Sequence, residues 1–237
     1  MDFSDFQNKI SLSKEDICRK AYRENRNSIR VKKEDTVVKN LERIFSATLR
    51  ISNRKGFQAM SMRDLSRETR LSLGALYSYF PSKEELLAML QNQRRTITKQ
   101  ILDECIANEA KPAARLRAAI LTHLYLSEAM QPWFYFSYME AKNLSQKEQD
   151  LAVASELYTE GLLADIIEEG KDRGDFRTRD ALLTASVIKA MLQDWYLKRS
   201  KYAKRRIPVE QYAQFVLQFV DTFLLDIAPA SQQVQSG

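Results

Sequence analysis

Cysteine is almost missing from this chain of 237 residues: there are two, Cys18 and Cys105. Two thiols cannot build a disulfide framework, so a reducing cytoplasm is the expected compartment. Glycine (6) and proline (5) are scarce as well. A sandwich or barrel of strands needs turn residues roughly every 8–12 positions, and the supply is too small for one. Histidine occurs once, at His123, so a Ser-His-Asp triad would have to use it. The patterns GxSxG, GxGxxG, CxxC and HExxH are absent, as is a phosphate-binding P-loop. No catalytic residue, metal ligand or cofactor is therefore expected. No apolar run reaches the length of about 18 residues that a membrane span needs. The opening MDFSDFQNKISL has neither the basic nor the apolar stretch of a signal peptide.

What is present is a good supply of core-forming residues and an uneven charge. Hydrophobic residues make up 44% of the chain, enough to bury a core in one large domain or two small ones. The net charge is +6. Residues 1–95 hold 20 Lys and Arg against 12 Asp and Glu, and the remainder hold 17 against 19. The basic excess thus belongs to the N-terminal part. It reads as a polyanion-binding module on a near-neutral body, or as a solvated basic face.

Helical periodicity runs through nearly the whole sequence. Residues 1–12 read as irregular, and Ser13-Lys14-Glu15-Asp16 as a capping box opening a short helix to about Asn25. The stretch Arg19–Lys33 is strongly basic and is expected to be partly disordered. Val37, Val38, Leu41, Ile44, Phe45, Thr48 and Leu49 recur three or four apart, which predicts a helix over 34–54 ended by Gly56. Ser61 opens a short helix to about Glu68, Thr69–Ser72 form a turn, and Ser72 caps a second helix over 73–79. Pro81 ends it, and Ser82-Lys83-Glu84-Glu85 opens a long helix. Two short helices joined by a four-residue turn and packed by a preceding helix have the helix-turn-helix outline. Further helices are predicted over 112–130, 133–143, 146–170, from Thr178 or Asp180 to 199, and over 208–227, with Lys198–Arg206 as a basic loop.

The segment SMRDLSRETRLSLGALYSYFPSKEELL resembles the DNA-binding domain of the TetR/AcrR family of regulators. The resemblance rests on Leu65-Ser66, Leu71-Ser72, Gly74, Leu76-Tyr77, Tyr79-Phe80 and Ser82–Leu86, and Phe45–Phe57 fits as well. Arg70 departs from it, standing in the turn where the family usually has glycine. The roughly 33 residues before the first helix of the domain are also longer than usual. The resemblance implies an all-α fold, with a three-helix DNA-binding domain followed by a helical domain for ligand binding and dimerisation. The expected boundaries are a basic extension 1–33, the helix-turn-helix domain 34–81, the effector and dimerisation domain 82–227 and a tail 228–237.

A recognition helix must fit a major groove about 12 Å wide, and Gly74, Ala75 and Ser78 are small. Leu73 and Ala75 can meet a thymine methyl. The resemblance places Tyr77 and Tyr79 on phosphates. Lys83 sits in the first turn of a helix whose N–H groups favour an anion. Ser61 and Ser72 offer hydroxyls, and Arg63 and Lys55 add positive charge. Tyr77 reads alternatively as a core aromatic, and the three serines as caps only.

The resemblance also gives the C-terminal helices two tasks. Leu183, Val187, Met191, Phe215, Phe219 and Phe223 are the expected dimer face, on two helices able to form a four-helix interface with a second copy. The expected effector pocket draws on Trp133, Phe134, Phe136, Tyr138 and Met139 in the aromatic segment. His123, Tyr125, Tyr158, Leu162, Ile166, Met191 and Trp195 are expected to face them, and all these residues read alternatively as core. The segment Glu140–Phe176, with its Glu169-Gly170, Gly174 and Phe176 ending, is similar to regulators of fatty-acid degradation that respond to acyl-CoA. The implied function is a cytoplasmic bacterial homodimer, a repressor released from palindromic double-stranded DNA by a small hydrophobic effector, with no membrane partner. The other reading is a helical membrane-surface or partner-binding module anchored by its basic N-terminal stretch.

Overall fold

The computed structural model describes residues 2–9 and 14–225, and every regular element among them is helical. The first helices are α1 (Phe3–Lys9), α2 (Lys14–Glu24), α3 (Glu34–Lys55), α4 (Met62–Thr69), α5 (Leu73–Tyr77) and α6 (Lys83–Ala107). They are followed by α7 (Pro112–Ala129), α8 (Gln131–Met139), a 3-10 turn (Ala141–Asn143), α9 (Gln146–Asp172), α10 (Ala181–Leu197), α11 (Arg199–Lys204) and α12 (Val209–Leu224). The all-α expectation stands. The predicted start at Ser13 and the predicted tail 228–237 lie outside the described residues.

Two local expectations are corrected. Residues 1–12 are not irregular throughout, because Phe3–Lys9 is helical. Asp2 and Asp5 cap each other there: Asp5 N–H donates to Asp2 Oδ1 at 2.7 Å and Asp2 N–H to Asp5 Oδ2 at 3.3 Å. The basic stretch 198–206 is not a plain loop, because α11 fills most of it. Tyr202 anchors that helix. It is buried, and its ring lies 5.0 Å from Trp195 and 4.8 Å from Tyr212. Lys198 and Lys201 donate to Asp194 at 2.8 and 2.6 Å, so their charges are already answered.

Two glycines have a structural reason. Gly174 adopts φ +78°, in the region that favours glycine. At Gly170 a Cβ would come within 2.1 Å of the Phe176 ring, so only glycine admits that contact. The Gly170–Gly174–Phe176 pattern is thus a packed end for α9.

The described chain forms two compact units, one comprising Met1–Ile101 and Leu126–Glu156, the other Leu102–Tyr125 and Leu157–Gly237. This differs from a division at residue 82. The aromatic helix α8 belongs to the first unit, because Trp133 packs edge-on against Phe45 at 5.5 Å and Phe136 against Phe57 at 5.7 Å. The extension belongs there too. Cys18, Ala21, Tyr22 and Ile29 share one apolar cluster with Leu41, Phe45, Leu76 and Phe80. Arg19 ties α2 to α3, reaching Glu15 at 2.7 Å and Glu34 at 2.8 Å. The core of the second unit includes Leu163, Ile166, Ile188, Leu192, Trp195, Val216 and Val220.

Candidate nucleic-acid interface

Helix α3 is the support on which α4 and α5 are set. Its Arg43 donates to the Thr69 carbonyl at the end of α4, and its Asn40 donates to the Tyr79 hydroxyl at 2.7 Å. The start of α4 is a closed capping box. Asp64 N–H donates to Ser61 Oγ at 3.1 Å, and Ser61 N–H to Asp64 Oδ2 at 2.9 Å. Lys55 from the end of α3 donates to the same carboxylate at 2.7 Å. That bond, followed by those from Ser61, holds the Asp64 carboxyl well below the usual carboxylate range. In the turn, Ser66 Oγ donates to the Leu71 carbonyl at 2.6 Å, and Arg70 takes a left-handed conformation with φ 57°. Ser72 then caps α5, its hydroxyl accepting from Ala75 N–H at 3.1 Å.

The result is a short helix with one face in the core and the other free. Leu76 is fully buried, whereas Tyr77 is 45% exposed and Leu73 36%. Ser72 and Gly74 are exposed, and Ala75 and Ser78 are half-buried. Ser61 and Arg63 are exposed at the start of α4, and among the described residues Arg63 has no ion pair. Lys55 is exposed but engaged with Asp64.

Two members of the expected DNA-contact set are placed differently. Tyr79 is buried in the core, with its hydroxyl on Asn40. Lys83 spends its ammonium on three carbonyls of the α3–α4 loop, those of Phe57, Gln58 and Met60, at 3.1, 3.0 and 3.2 Å. It also lies 4.9 Å from the Phe57 ring centre. Both side chains hold the frame in place. Sequence reasoning missed the rest of that frame: Asn40, Arg43, Ser66 and the buried Glu140, which accepts from Phe57 N–H at 3.1 Å. The one sequence signal for them is polarity at positions flanking apolar stripes.

Two family models match this chain. The model described as bacterial regulatory proteins, tetR family, covers residues 44–90, and the model described as Tetracyclin repressor-like, C-terminal domain, covers residues 109–220. The chain belongs to the tetR family. It is a helix-turn-helix DNA-binding transcriptional regulator, and the relatives found are transcriptional regulators rather than enzymes. One relative is the HTH-type transcriptional regulator HbdR of Aromatoleum sp. strain CIB, 22% identical over 76% of this chain and 79% of HbdR. Among solved structures, AibR in complex with isovaleryl coenzyme A and operator DNA superposes with a TM-score of 0.67 at 20% identity, covering 78% of this chain and 97% of AibR. FadR of Bacillus subtilis in complex with stearoyl-CoA superposes at 0.62 and 15% identity, covering 77% and 98%. At these identities the superpositions establish the fold.

In this tetR-family chain the expected effector residues fall into both compact units. Trp133, Phe134, Phe136, Tyr138 and Met139 are in the first. Phe134 is buried with the Arg94 guanidinium 5.5 Å from its ring, while Tyr138 and Met139 are exposed. The others are in the second. His123 is buried, with Nε2 3.2 Å from the ammonium of Lys189, itself 8% exposed. Tyr125, Ile166 and Trp195 are buried, Leu162 is half-buried, and the Tyr158 hydroxyl donates to Asp103. The six expected dimer residues come together on α10 and α12. Leu183, Val187, Phe215, Phe219 and Phe223 are each more than half exposed, and Met191 is half-buried beside them. A cavity of about 740 Å³ opens on this face, walled by Leu183, Val187, Met191, Phe219 and Phe223, with Lys171, Arg177 and Arg179 also lining it. No helix among the described residues is long and apolar enough to cross a membrane.

Proposed function

We propose that the protein is a cytoplasmic homodimeric repressor that leaves a palindromic operator when a small hydrophobic effector binds. The observation that carries this reading is the rigidly held, outward face of α5: Leu73, Gly74 and Tyr77 free, Leu76 buried, with both short helices capped. The DNA contacts proposed are Leu73, Gly74, Ala75 and Tyr77 in the major groove and on its edge. Ser61, Arg63, Ser72 and Ser78 contact nearby backbone. Lys55 joins them by exchanging Asp64 for a phosphate, and Tyr79 and Lys83 act by positioning.

The dimer reading is supported by five large apolar side chains standing exposed on α10 and α12, a patch of the kind that marks an interaction surface. Two copies joined there can present two recognition helices to half-sites about 34–36 Å apart. For the effector, acyl-CoA or a fatty acid is the leading class, supported by the ligands of AibR and FadR. Within the second unit the buried His123 and Lys189 are polar handles suited to a thioester carbonyl or a carboxylate. The effector must bind the DNA-free state more tightly for release to occur.

The test is selection of the purified protein on sheared genomic DNA at about 150 mM salt, a strength at which non-specific phosphate binding is weakened. A few retained fragments sharing a palindrome, released by an acyl-CoA series from isovaleryl to stearoyl, are the expected result. Retention without a shared site would sink the regulator reading, and retention unaffected by every acyl-CoA and by the matching free fatty acids would sink the effector class.

A further inference from the structure

The chain ahead of α3 is outside the matched family models, which begin at residue 44. Its charge is not evenly engaged. Arg19 is paired with Glu15 and Glu34, Arg23 lies 3.8 Å from Glu34, and Lys20 bonds Gln100. The next stretch, Asn25-Arg-Asn-Ser-Ile-Arg-Val-Lys-Lys33, holds four cations and no acid. Arg26, Arg30 and Lys33 are exposed, and none has an ion pair among the described residues. The nearest acids in sequence are occupied, Glu24 by Gln93 and Glu34 by Arg19.

This stretch is folded, and the fold puts it beside the recognition helix. Ile29 is fully buried in the cluster that contains Leu76 and Phe80. Arg30 N–H donates to the carbonyl of Ser78, the residue that ends α5 and follows the exposed Tyr77, at 2.9 Å. The Tyr22 hydroxyl donates to the Lys32 carbonyl at 3.2 Å, and Lys32 Nζ lies 3.3 Å from the Ile29 carbonyl, closing the loop on itself. The loop that carries Arg26, Arg30 and Lys33, none of them ion-paired among the described residues, is thus fastened through Arg30 to the C-terminal end of α5 before any ligand arrives.

We infer that residues 26–33 are a second DNA-contacting element, with Arg26, Arg30 and Lys33 gripping backbone phosphates beside the base-reading face of α5. The inference rests on the regulator reading above for the pose of α5. Duplex DNA is the favoured occupant, because the Arg30–Ser78 hydrogen bond fixes the loop to the end of the helix proposed to enter the groove. Phosphate contacts set affinity and register without reading sequence, so the element strengthens binding to any duplex that α5 engages. Its arginines add planar, two-pronged grip on phosphate that lysine lacks.

The experiment compares the full chain with Arg26→Ala/Arg30→Ala/Lys33→Ala on a mixed-sequence duplex and on any fragment retained in the genomic selection, across a salt series. The expected result is about a tenfold or greater loss of affinity on both duplexes. The slope of log affinity against log salt should flatten by roughly 0.9 for each lost phosphate contact. The alanine at position 30 keeps the backbone bond to Ser78, and an unchanged melting temperature verifies the fold. The charge-keeping variant Arg26→Lys/Arg30→Lys should recover most of the slope. Equal affinity and slope for the alanine variant overturns the inference. So does a lysine variant as weak as the alanine one, and so does loss of binding to anionic phosphatidylglycerol vesicles with DNA binding intact. Duplex binding without site selection sinks the regulator reading alone, and the slope still decides on this element.

Discussion

Arg70 carries a cost that its neighbours impose. The turn between α4 and α5 closes through Arg43 on the Thr69 carbonyl and Ser66 on the Leu71 carbonyl, and it leaves residue 70 at φ 57°, ψ 28°. A side chain in that region costs on the order of 1 kcal/mol, where glycine pays little. Arg70→Gly should therefore stabilise the protein by up to about 1 kcal/mol, raising Tm by roughly 2–4 °C in a scanning melt. A lower Tm would show that the Arg70 side chain does something in the fold that its exposure hides. Asp64 gives a pH signature. Its carboxyl is held below the usual range by Lys55 and then Ser61, so the charged form is favoured by folding. A depressed carboxylate stabilises the fold fully above its unfolded value of 3.8 and loses that contribution as pH falls toward the folded value. The Tm advantage of the native chain over Asp64→Asn should be constant near neutrality and shrink below about pH 4. An advantage independent of pH would refute the ionic account.

Lys83 links two helical elements through one side chain. It opens α6, yet its ammonium closes the loop between α3 and α4 through three carbonyls. Lys83→Met keeps most of the stem and removes the donors, leaving those carbonyls to water or to nothing. A loss of about 1–3 kcal/mol follows, read as a Tm drop in circular dichroism. DNA affinity should weaken while its salt slope stays near the native one, because the side chain positions α4 and α5 without taking a phosphate. A slope flattened by roughly 0.9 would instead make Lys83 a phosphate contact. Helices of this kind were legible in the sequence where local rules suffice. The capping serines at 61, 72 and 82 and the apolar stripe of 37–49 place α3 to α6 within a residue or two. Missed were α1, whose cap is a pair of aspartates, and α11, whose anchor Tyr202 finds Trp195 and Tyr212 only after folding. Tyr79 was misplaced for the same reason, since its partner Asn40 is 39 residues away.

At the scale of the whole molecule the exposed face of α10 and α12 is the proposed dimer interface. Phe219 is 51% exposed, so Phe219→Glu costs the isolated chain little. In the proposed dimer it buries a carboxylate opposite apolar side chains, which should weaken association by about 2 kcal/mol or more. Sedimentation velocity should show a monomer of unchanged helicity, and binding to a palindromic fragment should collapse to the affinity of one half-site. A native dimer in that variant would move the interface elsewhere. The same scale explains why the expected effector residues are divided between the two compact units. Their apolar spacing was visible, but spacing sets only which face a residue takes. Whether Phe136 meets Phe57 or Trp195 meets Tyr212 depends on which helices pack together.

The sequence alone determined the class of protein. Scarce glycine, proline and cysteine, continuous helical periodicity and a short-helix pair with fixed capping positions leave an all-helical chain with a helix-turn-helix outline, because these are local properties of the chain, and the resemblance of residues 61–87 to the TetR/AcrR family adds the DNA-binding regulator. Tertiary structure decided which cations remain available. Arg19, Lys83 and Lys201 look in sequence like Arg26, Arg30 and Lys33, yet the side chains of the first three are tied to internal acceptors and those of the last three, among the described residues, are not. A charge is free or spent according to what folding brings within hydrogen-bond distance of it, and that is set by contacts between residues far apart in the chain.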